Sequence, residues 1–207
     1  AMAVAACAAW HIQRRRRAHG SRLVSRSEAL AMGCRQACHV AIWAPVGYKL
    51  WGELPAGHAI LMQMRFDGLI GFPGGLVDSL EDGRLEELAV AANRELAEEL
   101  STNVSVDDDD YAGCIYLPEQ NICTHLFAKR VDEATLDALE CDALTAHDRF
   151  EVCGTLRCPC YGLPAEANGG VSNKGFGLFI QQSFAGNAKQ RACRGLDPLP
   201  IPRPLHR

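Results

Sequence analysis

Gly71-Phe72-Pro73-Gly74-Gly75 and, some twenty residues on, Arg94-Glu95-Leu96-Ala97-Glu98-Glu99 decide how this chain is read. Between and through them, Leu85, Leu88, Ala89, Ala92, Leu96 and Leu100 recur at the spacing of one helix face, which predicts an amphipathic helix with Glu95 and Glu99 on its opposite side. Residues three and four apart on a helix are neighbours, so Glu95, Glu98 and Glu99 crowd together and repel unless a positive charge lies among them. A hard divalent cation meets that need, because it prefers oxygen ligands and is commonly shared with substrate phosphates. Three glutamates alone would be a solvated acidic face. The turn in front tips the reading towards a metal site, since glycines let backbone approach a ligand closely.

Working outward, Cys38–Ala44 and His58–Arg65 read as strands joined by a Pro- and Gly-containing loop, a hairpin-like pair. Further strands are expected around Tyr111–Leu117, His125–Arg130 and Val152–Leu156, with helices over Asp132–Leu139 and Phe176–Cys193. The fold class is therefore mixed α/β. Residues 1–25 are expected to be an Arg-rich disordered arm, 26–195 one domain, and 196–207 an extended tail with prolines at 198, 200, 202 and 204.

The 207 residues suit one domain, with 48% hydrophobic residues to build a core, and no stretch approaches a membrane-spanning length. Six arginines and no acid fall within residues 1–27; with a total of -4, this leaves -10 on the remainder. Such an arm reads as a mitochondrial presequence, a nuclear-localisation or nucleic-acid-binding patch, or a disordered extension. Ten cysteines at irregular spacing read as reduced thiols, and Cys158-Pro159-Cys160 lacks the second pair that a zinc site needs. Asp107–Asp110 lacks the pattern of a calcium loop and reads as solvated; His125 and His147 read as structural.

The central stretch resembles the Nudix box: Gly, five residues, Glu, seven residues, then Arg-Glu-aliphatic-any-Glu-Glu-any-Gly-aliphatic. Gly75 opens it and Glu86 lies eight positions before Arg94, but ten residues separate Gly75 from Glu86, and Ser101 stands where Gly closes the helix. Ala59–Gly68, Ser79–Gly83, Phe127–Arg130, Glu151-Val152 and Ser183-Phe184 narrow the resemblance to the snoRNA-decapping and inosine diphosphate phosphatase subfamily, related to the syndesmos-like branch. That resemblance implies a Nudix fold, an α/β/α sandwich around a mixed β-sheet. It implies Glu95, Glu98, Glu99 and the Gly74 carbonyl as ligands of Mg2+ or Mn2+, with Co2+ an alternative. Arg94 and Glu86 would orient the glutamates, and Glu98 or Glu151 would act as general base. His39, Arg65 and Phe72 would hold the purine and its phosphates, with Gln190 near the base, although Arg191 stands at the position matching the family's glutamine. Ile115 replaces a histidine of the relatives.

The function this implies is metal-dependent pyrophosphohydrolysis: water attacks a phosphorus of (deoxy)inosine and related purine nucleoside diphosphates, or of capped RNA, nucleotide-cofactor caps included. The alternatives are a catalytically silent RNA- or protein-binding module, as in the syndesmos-like branch that has lost the glutamates, and a hydrolase of ADP-ribose or another diphosphate. The resemblance also implies a homodimer, with nucleus, nucleolus and cytoplasm as locations; the arm adds mitochondria as an alternative.

Overall fold

In the computed structural model, residues 20–161 and 175–194 are described, with side chains through residue 192; the expected arm and tail lie largely outside them. Seven strands form one sheet: β1 (Arg22–Val24), β2 (Arg35–Leu50), β3 (Leu54–Arg65), β4 (Ile70–Gly71), β5 (Tyr111–Leu117), β6 (Ile122–Arg130) and β7 (Val152–Pro159). The order is β1-β5-β6-β2-β3-β4, and β7 also pairs with β3. Only β2 and β6 run parallel, Arg35 through Trp43 lying beside Ile122 through Arg130; the other strand pairs are antiparallel. The sheet is mixed, and β2 with β3 makes the expected hairpin, turning through Trp51 and Gly52 at positive φ.

The long β2 builds both layers by alternation. Cys38, Val40, Ile42 and Ala44 face a core completed by helix α2 (Leu88–Leu100) and helix α3 (Glu133–Asp142), through Leu88, Ala92, Leu96, Leu136 and Leu139. Ala41 and Trp43 point the other way, into a cluster with Ile60, Met62, Phe72, Phe184 and Ala188. The short helices α4 (Phe176–Phe179) and α5 (Ala188–Arg194) cover this second face, and α1 (Arg26–Ala31) closes the β1 edge. Among the described residues, no helix is long and apolar enough to cross a membrane.

Three expectations change. The single helix over Phe176–Cys193 is two, because the Ile70 amide donates to the Ser183 carbonyl and the Ala185 amide to the Ile70 carbonyl, stitching this segment to β4 before Gly186 turns at φ 48°. Regular structure begins ahead of residue 26, since Arg22–Val24 pair with Tyr116–Cys114. The predicted helix starts at Leu88, and Leu85 instead bridges back to Ser79.

That bridge explains the long spacing between Gly75 and Glu86. The Leu80 amide donates to Arg84 and the Glu86 amide to Asp78, closing a tight loop that turns at Gly83, φ 79°. The extra residues are absorbed locally, and Glu86 returns beside the start of the turn. Ser101 takes the left-handed conformation (φ 52°, ψ 38°) and donates its amide to Ala97. Glycine enters that region without a Cβ penalty. Ser101→Gly is therefore expected to stabilise the chain by about 0.5–1 kcal/mol, read as a higher urea midpoint at unchanged slope.

His125, expected to be structural, is fully buried. The Gln36 amide nitrogen donates to the Ala29 and Cys34 carbonyls, leaving its oxygen to accept from His125 Nε2 at 2.9 Å, while the Tyr111 hydroxyl donates to Nδ1 at 2.9 Å. Burial, then the charges of Arg191 and Arg26, push this imidazole down to about 4 from an ordinary 6.5. Between those values the unfolded chain binds the proton and the folded one does not, so stability falls as pH drops through that window. His125 alone is expected to contribute a loss of about 2 kcal/mol on going from pH 7 to pH 5. His39 adds a loss and Glu99 an opposing gain over the same range, so urea melts of the unaltered chain and of His125→Gln at both pH values isolate the His125 contribution: the change from pH 7 to pH 5 should be more favourable in the variant by about that amount.

Candidate active site

The turn Pro73–Leu76 lies against the first half of β2: the Cys38 amide donates to the Gly75 carbonyl and the Val40 amide to the Pro73 carbonyl, both at 2.9 Å. This close approach requires glycine. Gly74 has φ 127°, and a Cβ there would sit 2.2 Å from the Cys38 carbonyl oxygen; a Cβ on Gly75 would sit 2.6 Å from a Glu95 carboxylate oxygen. The Gly-rich turn and the helix carboxylates thus meet in one place.

Glu95 and Glu99 are not on the face opposite the apolar stripe, as expected from the sequence: at about 100° per residue they fall beside Leu88, Ala92 and Leu96. Glu99 is only 6% exposed and lies on the buried stripe one turn from Leu96; Glu95 is also largely covered. There the Gly74 amide meets Glu99, donating to its Oε2 at 2.7 Å. Burial pushes the Glu99 carboxyl up to about 7, opposed by the Gly74 bond and reinforced by the charge of Glu95. Burial also raises Glu95, opposed by Arg94.

Arg94 organises the remaining acids. One terminal nitrogen donates to Glu95 at 3.0 Å and to Glu98 at 3.1 Å; the other donates to the Leu76 carbonyl at 3.0 Å and to Glu86 at 3.3 Å. The planar fork of arginine suits this divided task. It ties the helix, the returning loop and the Gly-rich turn into one unit.

A cleft of about 230 Å3 opens on the other face of the sheet. His39, Arg65, Phe72, Gly74 and Gly75 line it, so the expected substrate residues gather beside the turn. Burial and the charges of Arg191 and Arg65 push the His39 imidazole down to about 3, keeping it neutral. Arg65 Nε is buried without a hydrogen bond, with Asp67 3.5 Å away. Gln190 does not line the cleft; its Oε1 accepts from Ser21 Oγ at 3.0 Å. Arg191 lines it instead, buried, its guanidinium donating to the Thr124 carbonyl and hydroxyl. Ile115 is buried apolar structure. Glu151 is exposed at the start of β7, where its carbonyl accepts from the Phe66 amide next to Arg65.

Among the described residues, no three acidic, histidine or cysteine side chains converge as a ready cation cage. The donor set nevertheless fits a hard divalent ion: all of its groups are carboxylate or carbonyl oxygens, and Glu99 is buried with no cationic side chain within ion-pairing distance among the described residues.

The family model described as Nudt16-like, U8 snoRNA-decapping enzyme-like, matches residues 36–201, which spans the cleft, the turn and the glutamate helix. The chain belongs to this family. Within the family's range of relatives, the chain is 40% identical to the mouse U8 snoRNA-decapping enzyme over 188 residues, covering 88% of this chain and 91% of that protein. It is 34% identical over 173 residues to the human Tudor-interacting repair regulator protein, covering 80% and 75% respectively. The NUDIX domain of Shewanella oneidensis NrtR, solved with ADP ribose, superimposes with a TM-score of 0.51 at 14% identity, covering 85% of this chain and 99% of that one. That likeness establishes the Nudix fold for this U8 snoRNA-decapping enzyme-like chain.

Proposed function

We propose that this protein is a divalent-metal-dependent hydrolase that cleaves the phosphoric anhydride of purine nucleoside diphosphates, inosine forms included, and of capped RNA 5′ ends. The observation that carries this reading is the meeting of Glu95 and Glu99 with the Gly74-Gly75 turn, which itself lines a cleft bearing Arg65 and neutral His39, while Arg94 ties Glu98 to Glu95. The names of its decapping relatives support the RNA substrate.

Glu95, Glu98, Glu99 and the Gly74 carbonyl would hold Mg2+ or Mn2+. When bound, such an ion neutralises phosphate charge and lowers the pKa of a water molecule. The chain's own groups do the rest. Arg94 fixes the carboxylates so that little reorganisation is needed during the reaction. The Arg65 guanidinium, which lines the cleft beside its Asp67 partner, offers positive charge and N–H donors to phosphate oxygens there. Neutral His39 can accept or donate a hydrogen bond to the nucleotide without adding charge, and Phe72 gives the purine an apolar wall. Glu98, partly exposed at the edge of the cluster, takes the proton of the attacking water; Glu151 is the second choice for that role. Homodimer formation and a nuclear and cytoplasmic location complete the proposal.

A panel of inosine, guanosine and adenosine diphosphates, ADP-ribose and capped RNA, each with Mg2+ or Mn2+, tests the assignment. Turnover of inosine diphosphate and capped RNA is expected. Turnover of ADP-ribose alone would overturn the substrate class, and no turnover of any member would turn the reading towards a binding module.

A further inference from the structure

Away from the cleft, the segment leading into β2 brings sulfur atoms together. Cys34 Sγ lies 3.5 Å from Cys123 Sγ on β6, across 89 positions of sequence. Met32 Sδ is 4.0 Å from Cys123, and Cys114 on β5 belongs to the same small cluster, under Val24 and Ala29. The two closest thiols differ in access: Cys34 is half-buried, whereas Cys123 is fully enclosed. The Gln36 amide donates towards Cys34 Sγ at 3.6 Å and to the Cys34 carbonyl, which fixes this thiol against its neighbour. Burial and the adjoining thiols hold Cys123 in its protonated form. The hydrolytic chemistry uses neither sulfur.

We propose that Cys34 and Cys123 are an oxidant-reversible dithiol site that closes to a disulfide on reaction with a hydroperoxide. A disulfide needs the sulfurs about 1.5 Å nearer than they stand, so the half-buried Cys34 side chain turns towards Cys123 as the bond forms. In the first step Cys34 gives its proton to solvent and its thiolate attacks one peroxide oxygen. The O–O bond breaks, and the departing hydroxide takes up a proton as water, leaving Cys34 a sulfenic acid. Cys123 Sγ then attacks the Cys34 sulfur; the S–S bond forms, the S–OH bond breaks, and the hydroxide leaves with the Cys123 proton as a second water. Two electrons pass from the thiols to the peroxide. The bond ties the entry to β2 to the strand whose Ile122 and Thr124 line the cleft, with Thr124 also holding Arg191. Oxidation therefore staples one wall of the site.

The test uses the reduced 207-residue chain treated with hydrogen peroxide, cleared of peroxide by catalase, alkylated with a maleimide in denaturant so that buried thiols react, and digested by trypsin plus a glutamate-specific protease, which separates Cys114 from Cys123 at Glu119. The expected result is loss of two of the ten thiols, a peptide containing Cys34 joined to one containing Cys123, and full recovery with dithiothreitol. Cys34→Ser, at a half-buried position, should stay folded by circular dichroism and form no such link. Cys123→Ser should leave Cys34 as a sulfenic acid that dimedone captures. The proposal is overturned if Cys34 and Cys123 remain alkylatable after exposed Cys141 or Cys153 has been oxidised. A link from Cys123 to Cys114 in place of Cys34 overturns it equally.

Discussion

Glu99→Gln is expected to lower kcat at least about 1000-fold, with little effect on folding. Glu99 is the buried carboxylate of the cluster, aligned by the Gly74 amide at 2.7 Å. Glutamine keeps the shape and an oxygen to accept that bond, but not the charge that holds a divalent ion. In metal-free protein the carboxylate is strained by its surroundings, which raise it to about 7. Replacing it therefore should not lower the unfolding midpoint. Steady-state kinetics and a urea melt, run on the same preparation, check both halves. A variant that loses activity and also unfolds easily would assign Glu99 to structure.

Gly74→Ala is expected to have the largest effect on stability, about 3–5 kcal/mol, or to prevent folding. Its Cβ would meet three β2 backbone atoms, the Cys38 carbonyl oxygen at 2.2 Å, His39 Cα at 2.8 Å and the Cys38 carbonyl carbon at 3.0 Å, none of which can swing aside. The backbone at φ 127° adds strain of its own. Gly83→Ala is the control: φ is also positive, 79°, but nothing lies within 4 Å, so only the conformational cost of about 1 kcal/mol remains. Urea denaturation of the two variants should separate them clearly. Equal costs would mean that the turn does not press on β2.

The site was legible where chemistry is written in local spacing. Arg94, Glu95, Glu98 and Glu99 lie within one and a half helical turns, and their mutual reach follows from helix geometry alone. The strands around Val40, Leu61, Leu126 and Val152 were legible for the same reason, as apolar runs bounded by turns. What the sequence hid depends on distant partners. The expectation of an outer-face Glu99 fails on helix geometry itself, since at about 100° per residue Glu99 falls between Leu88 and Ala92; what the sequence hid is the glycine 25 positions away whose amide meets it there. The apolar residues after Phe176 have helical spacing, yet Phe184 is taken by Ile70 and the second core, which breaks the helix. The long gap before Glu86 is a departure from the family pattern in sequence, and only the bridge from Ser79 to Leu85 shows that it leaves Glu86 within 3.3 Å of Arg94.

The relatives bear on function in two directions, since those similar to this chain include proteins named as decapping enzymes and others named as Tudor-interacting repair regulators. The arrangement of Glu95, Glu98, Glu99 and Arg94 favours catalysis here, because an interaction surface has no need of a buried carboxylate against a glycine turn.

The most direct test is the initial rate of phosphate release from inosine diphosphate as Mg2+ is titrated into chelator-treated protein. The account predicts no release without metal, a saturable rise as Mg2+ is added, and loss of the response in Glu99→Gln. Metal-independent release, or a Glu99→Gln rate equal to that of the unaltered chain, would contradict it.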